Sequence, residues 1–202
     1  MLSATGIAAI LFLVLRNDRQ PLALDLQGQR FFHDAHTSVG TQGAKVLHVA
    51  GDAYSVIALV FLIAAICYVR GRKSLSMRIL VTFLFLGIAL EGIKWGVGRE
   101  RPDPERRLVQ EIGKSFPSGH ATGAMTLALL GIEYARKRWA AQSVQATAWT
   151  LCLGWTVVMG ISRVYLGVHY LSDVGAGWLL GILSYAVGNL VVRMPKVTAK
   201  RA

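Results

Sequence analysis

Six long apolar runs set the first limit on this chain. They lie near residues 2–15, 46–69, 79–97, 119–135, 146–161 and 174–192, and they leave too few polar stretches to build a soluble shell. Most approach the roughly 20 residues that an α-helix needs to cross the hydrocarbon of a bilayer. Composition agrees: of 202 residues, 53% are hydrophobic and 16% charged, with a mean hydropathy of +0.46, too apolar for an ordinary soluble domain of this length. The expected fold is all-α, a polytopic membrane protein with six transmembrane helices in one domain covering 1–202.

The run at 2–15 is the shortest, because about 14 residues at 1.5 Å each reach only about 21 Å. Arg16 can snorkel and Met1 can lie at the surface. A cleaved signal peptide is the rival, but no positive residue precedes the run and no A-x-A-like site follows it, so retention is expected. Cys67 and Cys152 sit inside apolar runs without metal-ligand spacing, and read as packing residues. The net charge of +11 is assigned to topology and anionic membrane lipids rather than to nucleic acid.

Six spans place the loops at 16–45, 98–118 and 162–173 on one side of the membrane. The opposite side carries Arg70, Arg72, Lys73, Arg78, Arg136, Lys137, Arg138, Arg193, Lys196, Lys200 and Arg201 in short connections, the density expected of the cytoplasm. The first group of loops is then extracytoplasmic, in a bacterial inner membrane. Within 16–45, LDLQGQRFFHDAH has enough amphipathic character for a surface helix, with Phe31 and Phe32 dipping into the interface; a plain connector is the alternative.

Three segments on this side carry unusual polarity. In FPSGHATGAMTLALL, Pro117 stops any preceding helix, Ser118 is a good N-cap, and the free amides of the next turn, from Gly119 and His120 onward, suit an anion. Ser118 as a simple cap and His120 as an interfacial side chain is the alternative. In KWGVGRERP, Lys94 and Arg101 lie two turns apart, and Pro102 pushes Arg101 out of helical geometry; Lys94 paired with Glu91 is the alternative. In SRVYLGVHYLSD, His169 and Asp173 stand one helical turn apart, so the carboxylate can hold one ring nitrogen and leave the other free, while Arg163 suits bidentate phosphate contact.

His48 and Asp52 share that i, i+4 spacing without a preceding Ser-Arg, and read as a local polar pair or a supporting element. His33 and His36 read as solvated or interfacial. Asp103, Glu105 and Glu111 read as offsetting loop charge. A two-metal carboxylate site is disfavoured because the anion site is supplied with cations instead, so no metal and no cofactor is expected.

Lys94 with Arg101-Pro102, then Pro117-Ser118-Gly119-His120, then Ser162-Arg163 with His169 and Asp173 resemble the signature of the type 2 phosphatidic acid phosphatase (PAP2) superfamily, KxxxxxxRP, PSGH and SRxxxxxHxxxD. All specified positions match, in order, over about 80 residues. The resemblance implies a metal-independent phosphatase working through a phosphohistidine. His169 is then the nucleophile, Asp173 its orienting carboxylate and His120 the acid. Lys94, Arg101, Arg163, the Ser118 hydroxyl and the Gly119 amide hold the equatorial oxygens. A site at the membrane face suits a lipid phosphate: phosphatidic acid, phosphatidylglycerophosphate or a polyprenyl diphosphate such as the undecaprenyl carrier. Arg99, Arg106, Arg107 and Lys114 are extra cations that favour a highly charged headgroup. The same pattern occurs in soluble vanadium haloperoxidases, but the continuously apolar helices favour the membrane branch. A lipid transporter or flippase would require broken helices in matching halves, and no such symmetry is seen.

Overall fold

The computed structural model describes residues 2–192, so Met1, Arg193, Lys196, Lys200 and Arg201, which entered the readings above, lie outside the described residues. Eight α-helices occur among the described residues, and no strand: α1 (Leu2–Arg16), α2 (Ala23–Asp34), α3 (Ser38–Ala50), α4 (Ala53–Val69), α5 (Lys73–Val97), α6 (Gly119–Arg138), α7 (Gln142–Tyr165) and α8 (Leu171–Val191). A single 3-10 turn, Pro104–Arg106, interrupts the loop between α5 and α6. A helix stands at each of the six apolar runs. By length and apolarity, α5, α7 and α8 are able to cross a membrane, and a fourth span results if α3 and α4 count as one bent by 53°.

That bend corrects the expected single span at 46–69. Asp52 leaves the helix to cap α4, its carboxylate accepting from the Ser55 amide at 3.0 Å, and the chain turns at Gly51. Capping satisfies an amide that the broken helix leaves bare. The expected His48–Asp52 pair is lost for the same reason, since one turn of continuous helix no longer connects the two residues. α2 fills the stretch for which a surface helix and a connector were both open. Its Phe31 is exposed, whereas Phe32 packs on Ala121, Val164 and Val174.

The core is built around α8, which packs against α1, α5 and α6 and, less extensively, α2 and α7. Helices in lipid gain little from apolar burial between them and rely on close backbone approach. Gly177 of α8 shows why a small residue is needed: a methyl there would lie 2.6 Å from the Ser118 carbonyl oxygen and 3.0 Å from the Ala121 Cβ. Buried hydroxyls are satisfied locally, Thr122 on the Ser118 carbonyl at 2.8 Å and Thr126 on that of Thr122 at 2.9 Å. The start of α6 is fastened to α8 by the Ser118 amide on the Asp173 carbonyl at 3.0 Å and by Thr126 on the Gly181 carbonyl at 3.3 Å.

Arg78 was counted among loop charges, and the structure corrects this. It is buried inside α5, donating to both carboxylate oxygens of Glu133 on α6 at 2.9 and 2.6 Å and to Asn189 of α8; Tyr185 adds a bond to Glu133 at 2.8 Å. Removing one partner of a buried pair strands the other charge, at a cost of about 3–5 kcal/mol. Arg78→Ala is therefore expected to lower the thermal midpoint of the detergent-solubilised protein markedly, with Arg78→Met together with Glu133→Leu recovering part of the loss.

Candidate active site

His169 is 2% exposed and lies in the short loop between α7 and α8. Its Nδ1 sits 3.5 Å from the Asp173 carboxylate and 3.4 Å from Ser115 Oγ, while its Nε2 is 3.0 Å from Arg101 Nη1. A guanidinium can only donate, so Nε2 is the accepting nitrogen and the ring proton resides on Nδ1, facing Asp173. The lone pair of Nε2 therefore points toward the cations. Asp173 is itself fixed by the Tyr170 amide at 2.9 Å, by Ser115 Oγ and by Arg99 at 2.6 Å. Burial lowers the His169 pKa to about 4 against the raising pull of Asp173, with Arg101 and Arg163 adding to the fall. The ring is neutral at pH 7.

Two guanidiniums converge beside it. Arg101, just past the left-handed Gly98 that ends α5, is held by the carbonyls of Val168, Ile112 and Gly113 at 3.0, 3.1 and 3.0 Å. Arg163, fully buried in the last turn of α7, donates to Glu111 at 2.7 Å and approaches His48 Nδ1 at 3.2 Å; its Nε has no protein partner. Glu111 also lies 3.5 Å from Arg101, so one carboxylate bridges both cations. Glu111 thus does more than offset loop charge: it takes a place between the two guanidiniums that the oxygens of a phosphate would suit.

Ser118 caps α6, accepting from the Ala121 amide at 3.5 Å, and its own amide donates to the Asp173 carbonyl at 3.0 Å. Gly119 and His120 head the helix, where no intrahelical carbonyl exists for their amides. His120 Nε2 is 3.0 Å from the His48 carbonyl, which can only accept, so Nε2 carries a proton and Nδ1 is left to exchange one. The two imidazoles stack, with centroids 5.7 Å apart and planes 16° from parallel.

Lys94 is not brought into this cluster. Its ion pair is with Glu91 at 3.7 Å, the alternative the sequence left open. The extra cations are each engaged with protein groups. Arg99 is fully buried between two carboxylates, Lys114 pairs with Glu100, Arg107 donates to the Pro102 carbonyl, and Arg106 lies 3.9 Å from Asp103. Spacing arguments missed the roles of Arg99, Ser115 and Glu111 because each acts across a long sequence separation, whereas His48 takes the place of a supporting element, one of its two readings, beside Arg163 and His120. The one available signal was the other arginine of GRERP, Arg99, standing two residues before Arg101.

His48, Glu111 and His120 present ligand atoms within 4.8 Å of one another, a spacing a metal ion could use. The donor set argues otherwise, since Arg163 already binds both Glu111 and His48 and would repel a cation there.

The PAP2 superfamily model matches residues 75–196. The chain belongs to this superfamily. Among its relatives, an undecaprenyl-diphosphatase of Sulfolobus acidocaldarius is 34% identical over 121 residues, covering 55% of this chain and 52% of that protein. Phosphatidylglycerophosphatase B of Bacillus subtilis is 29% identical over 141 residues, covering 69% of this chain and 68% of that protein. The match thus spans about half the length of the first relative. The solved structure of a transmembrane PAP2 type phosphatidylglycerolphosphate phosphatase from Bacillus subtilis superposes with a TM-score of 0.77 at 22% identity, over 94% of this chain and 93% of that one. Apolar helices and PAP2 membership together make this an integral membrane protein. α1 to α4, including His48, precede the matched region.

The bend between α3 and α4 gives this PAP2 site a specific sensitivity. A methyl on Gly51 would lie 2.6 Å from His120 Cδ2 and 3.0 Å from Met159 Sδ, so the ring must move. Misplacing a reacting group by about 1 Å can cost about 100-fold in rate. On the phosphatase reading proposed below, Gly51→Ala is expected to lower the kcat for phosphate release by at least tenfold (~1.4 kcal/mol), with a smaller change in KM, measured by steady-state kinetics in detergent.

Proposed function

We propose that the protein removes phosphate from a membrane lipid phosphate, without a metal, through a phosphohistidine on His169. The observation that carries this reading is the fixed tautomer of His169: Asp173 holds Nδ1, and Nε2 is turned toward Arg101 in a pocket shared with Arg163. In the first step the Nε2 lone pair attacks phosphorus and the bond to the lipid oxygen breaks. His120, doubly protonated beside the bound phosphate, gives that oxygen its Nδ1 proton and is left neutral with Nε2–H still on the His48 carbonyl. Arg101, Arg163, the Ser118 hydroxyl and the Gly119 amide stabilise the three equatorial oxygens as their charge redistributes. Water then attacks the phosphohistidine, His120 takes its proton, and inorganic phosphate leaves with His169 restored. Lys94 is held in reserve by the exposed Glu91 and joins the phosphate when that pair opens.

Several features support a lipid substrate. Ile112, whose carbonyl holds Arg101, is 96% exposed, and Trp95, next to Lys94, is 84% exposed. Such side chains suit the boundary between headgroups and hydrocarbon. The named relatives act, by their names, on a polyprenyl diphosphate and on phosphatidylglycerophosphate, which bracket the candidate headgroups. Six spans with the site on the extracytoplasmic face of a bacterial inner membrane is the arrangement we favour. It rests on the basic residues of the opposite loops, Arg70, Arg72 and Lys73, and on Arg136, Lys137 and Arg138 at the end of α6.

Phosphatidic acid, phosphatidylglycerophosphate, undecaprenyl diphosphate and a lipid A analogue, compared in detergent, distinguish the substrates. His169→Gln is expected to abolish phosphate release from whichever is preferred, and EDTA to leave the wild type unaffected; activity surviving in that variant contradicts the mechanism. The nucleophile must be unprotonated, and burial holds the His169 pKa at about 4, so kcat/KM should persist well below pH 6 and fall only as pH drops through about 4. An acid limb near the ordinary histidine value of about 6.5 would contradict the buried pairing.

A further inference from the structure

α2 lies outside the region that defines the family, yet its inner face touches the catalytic loop at two points one helical turn apart. Asp25 is fully buried and accepts four bonds: from Leu22 N at 3.0 Å, Arg99 Nη2 at 2.8 Å, Ser172 N at 2.8 Å and Ser172 Oγ at 2.8 Å. Gln29 donates from Nε2 to the carbonyl of His169 itself at 2.8 Å. The outer face carries Leu24, Leu26 and Phe31, all exposed, as suits a helix lying along the membrane surface.

Charge balance gives Asp25 a further consequence. Arg99 stands between two carboxylates, 2.8 Å from Asp25 and 2.6 Å from Asp173. With Asp25 neutral, the guanidinium would have Asp173 as its sole counter-ion and would draw that carboxylate toward itself. Asp173 would then hold the His169 ring less firmly and offset less of the positive charge that the ring gains as it is phosphorylated.

We propose that α2 is a positioning element for the nucleophile: Asp25, by sharing Arg99 and fixing Ser172, leaves Asp173 free to hold His169, and Gln29 fixes the loop that carries the ring. The proposal rests on the phosphatase reading above. It assigns Asp25 and Gln29 no contact with substrate, so their loss should act on turnover and spare binding.

The test compares the full-length wild type, His169→Gln and Asp25→Asn in detergent, on the preferred lipid phosphate. Asp25→Asn keeps the shape and one accepting oxygen while removing the charge. The expected result is a kcat lowered at least about tenfold with KM within about twofold, as for loss of an interaction expressed in the transition state. A kcat within twofold of wild type overturns the proposal, and so does a loss confined to KM. Should Asp25→Asn fail to fold, Gln29→Ala takes its place with the same expected split and the same overturning results. Phosphate release by the wild type and none by His169→Gln keep the phosphatase reading intact even when the α2 proposal fails. A wild type inactive on every lipid phosphate overturns both.

Discussion

Arg99 organises the site without facing its substrate. All five of its N–H groups are bonded: Nε to the Arg19 carbonyl at 3.2 Å, Nη1 to Ser172 and Asp173 at 2.7 and 2.6 Å, and Nη2 to the Gln20 carbonyl and Asp25 at 3.2 and 2.8 Å. Its guanidinium also covers the Tyr170 ring at 4.4 Å. Burying three ions carries a desolvation penalty of several kcal/mol each, offset only when every donor and lone pair finds a partner in good geometry. This one is fully satisfied. The loop after α1 contributes two carbonyls by passing through left-handed Asp18 and Arg19, with φ of 50° and 64°. One side chain thus joins that loop, α2, the end of α5 and the start of α8, and it sets the position of the carboxylate that orients His169.

The remaining cations have a different balance. Arg101 and Arg163 share a single carboxylate, Glu111, and Arg163 has one N–H without a protein partner. Desolvated guanidiniums that are under-neutralised favour an anion strongly, because charge interactions strengthen as the local dielectric falls. Glu111 limits the mutual repulsion of the two cations and, in the proposed mechanism, yields some of its contact to the phosphate. The contrast between a saturated Arg99 and an under-neutralised Arg101 and Arg163 separates the residues that build the site from those that meet the phosphate in the mechanism proposed above.

Much of this was legible in the sequence. Apolar runs located the helices, and motif spacing located His120, His169, Asp173, Arg101 and Arg163, because those arguments concern neighbours within one helix or one turn. Two of the differences originate in contacts between distant segments, and two in local ones. Arg99 looked like one more loop cation until Asp25, 74 positions earlier, was found against it. Glu111 looked like loop charge until α7 brought Arg163 to it. His48 and Asp52 had the spacing of a helical pair, and the capping preference of Asp52 broke the helix between them. Lys94 had the right spacing from Arg101, but nearby Glu91 holds it by a local ion pair. Spacing cannot weigh the first two, which depend on which helix packs against which; the last two are local competitors, an N-cap and an i, i+3 ion pair.

The central claim is that His169 becomes covalently phosphorylated. Rapid mixing with a lipid phosphate radiolabelled in its phosphoryl group, followed by an alkaline detergent quench and peptide mapping, tests it most directly. The account predicts a transient protein label, stable to base and labile to acid, on the peptide that contains His169. A label on another residue, or turnover with no covalent intermediate at any mixing time, would contradict it.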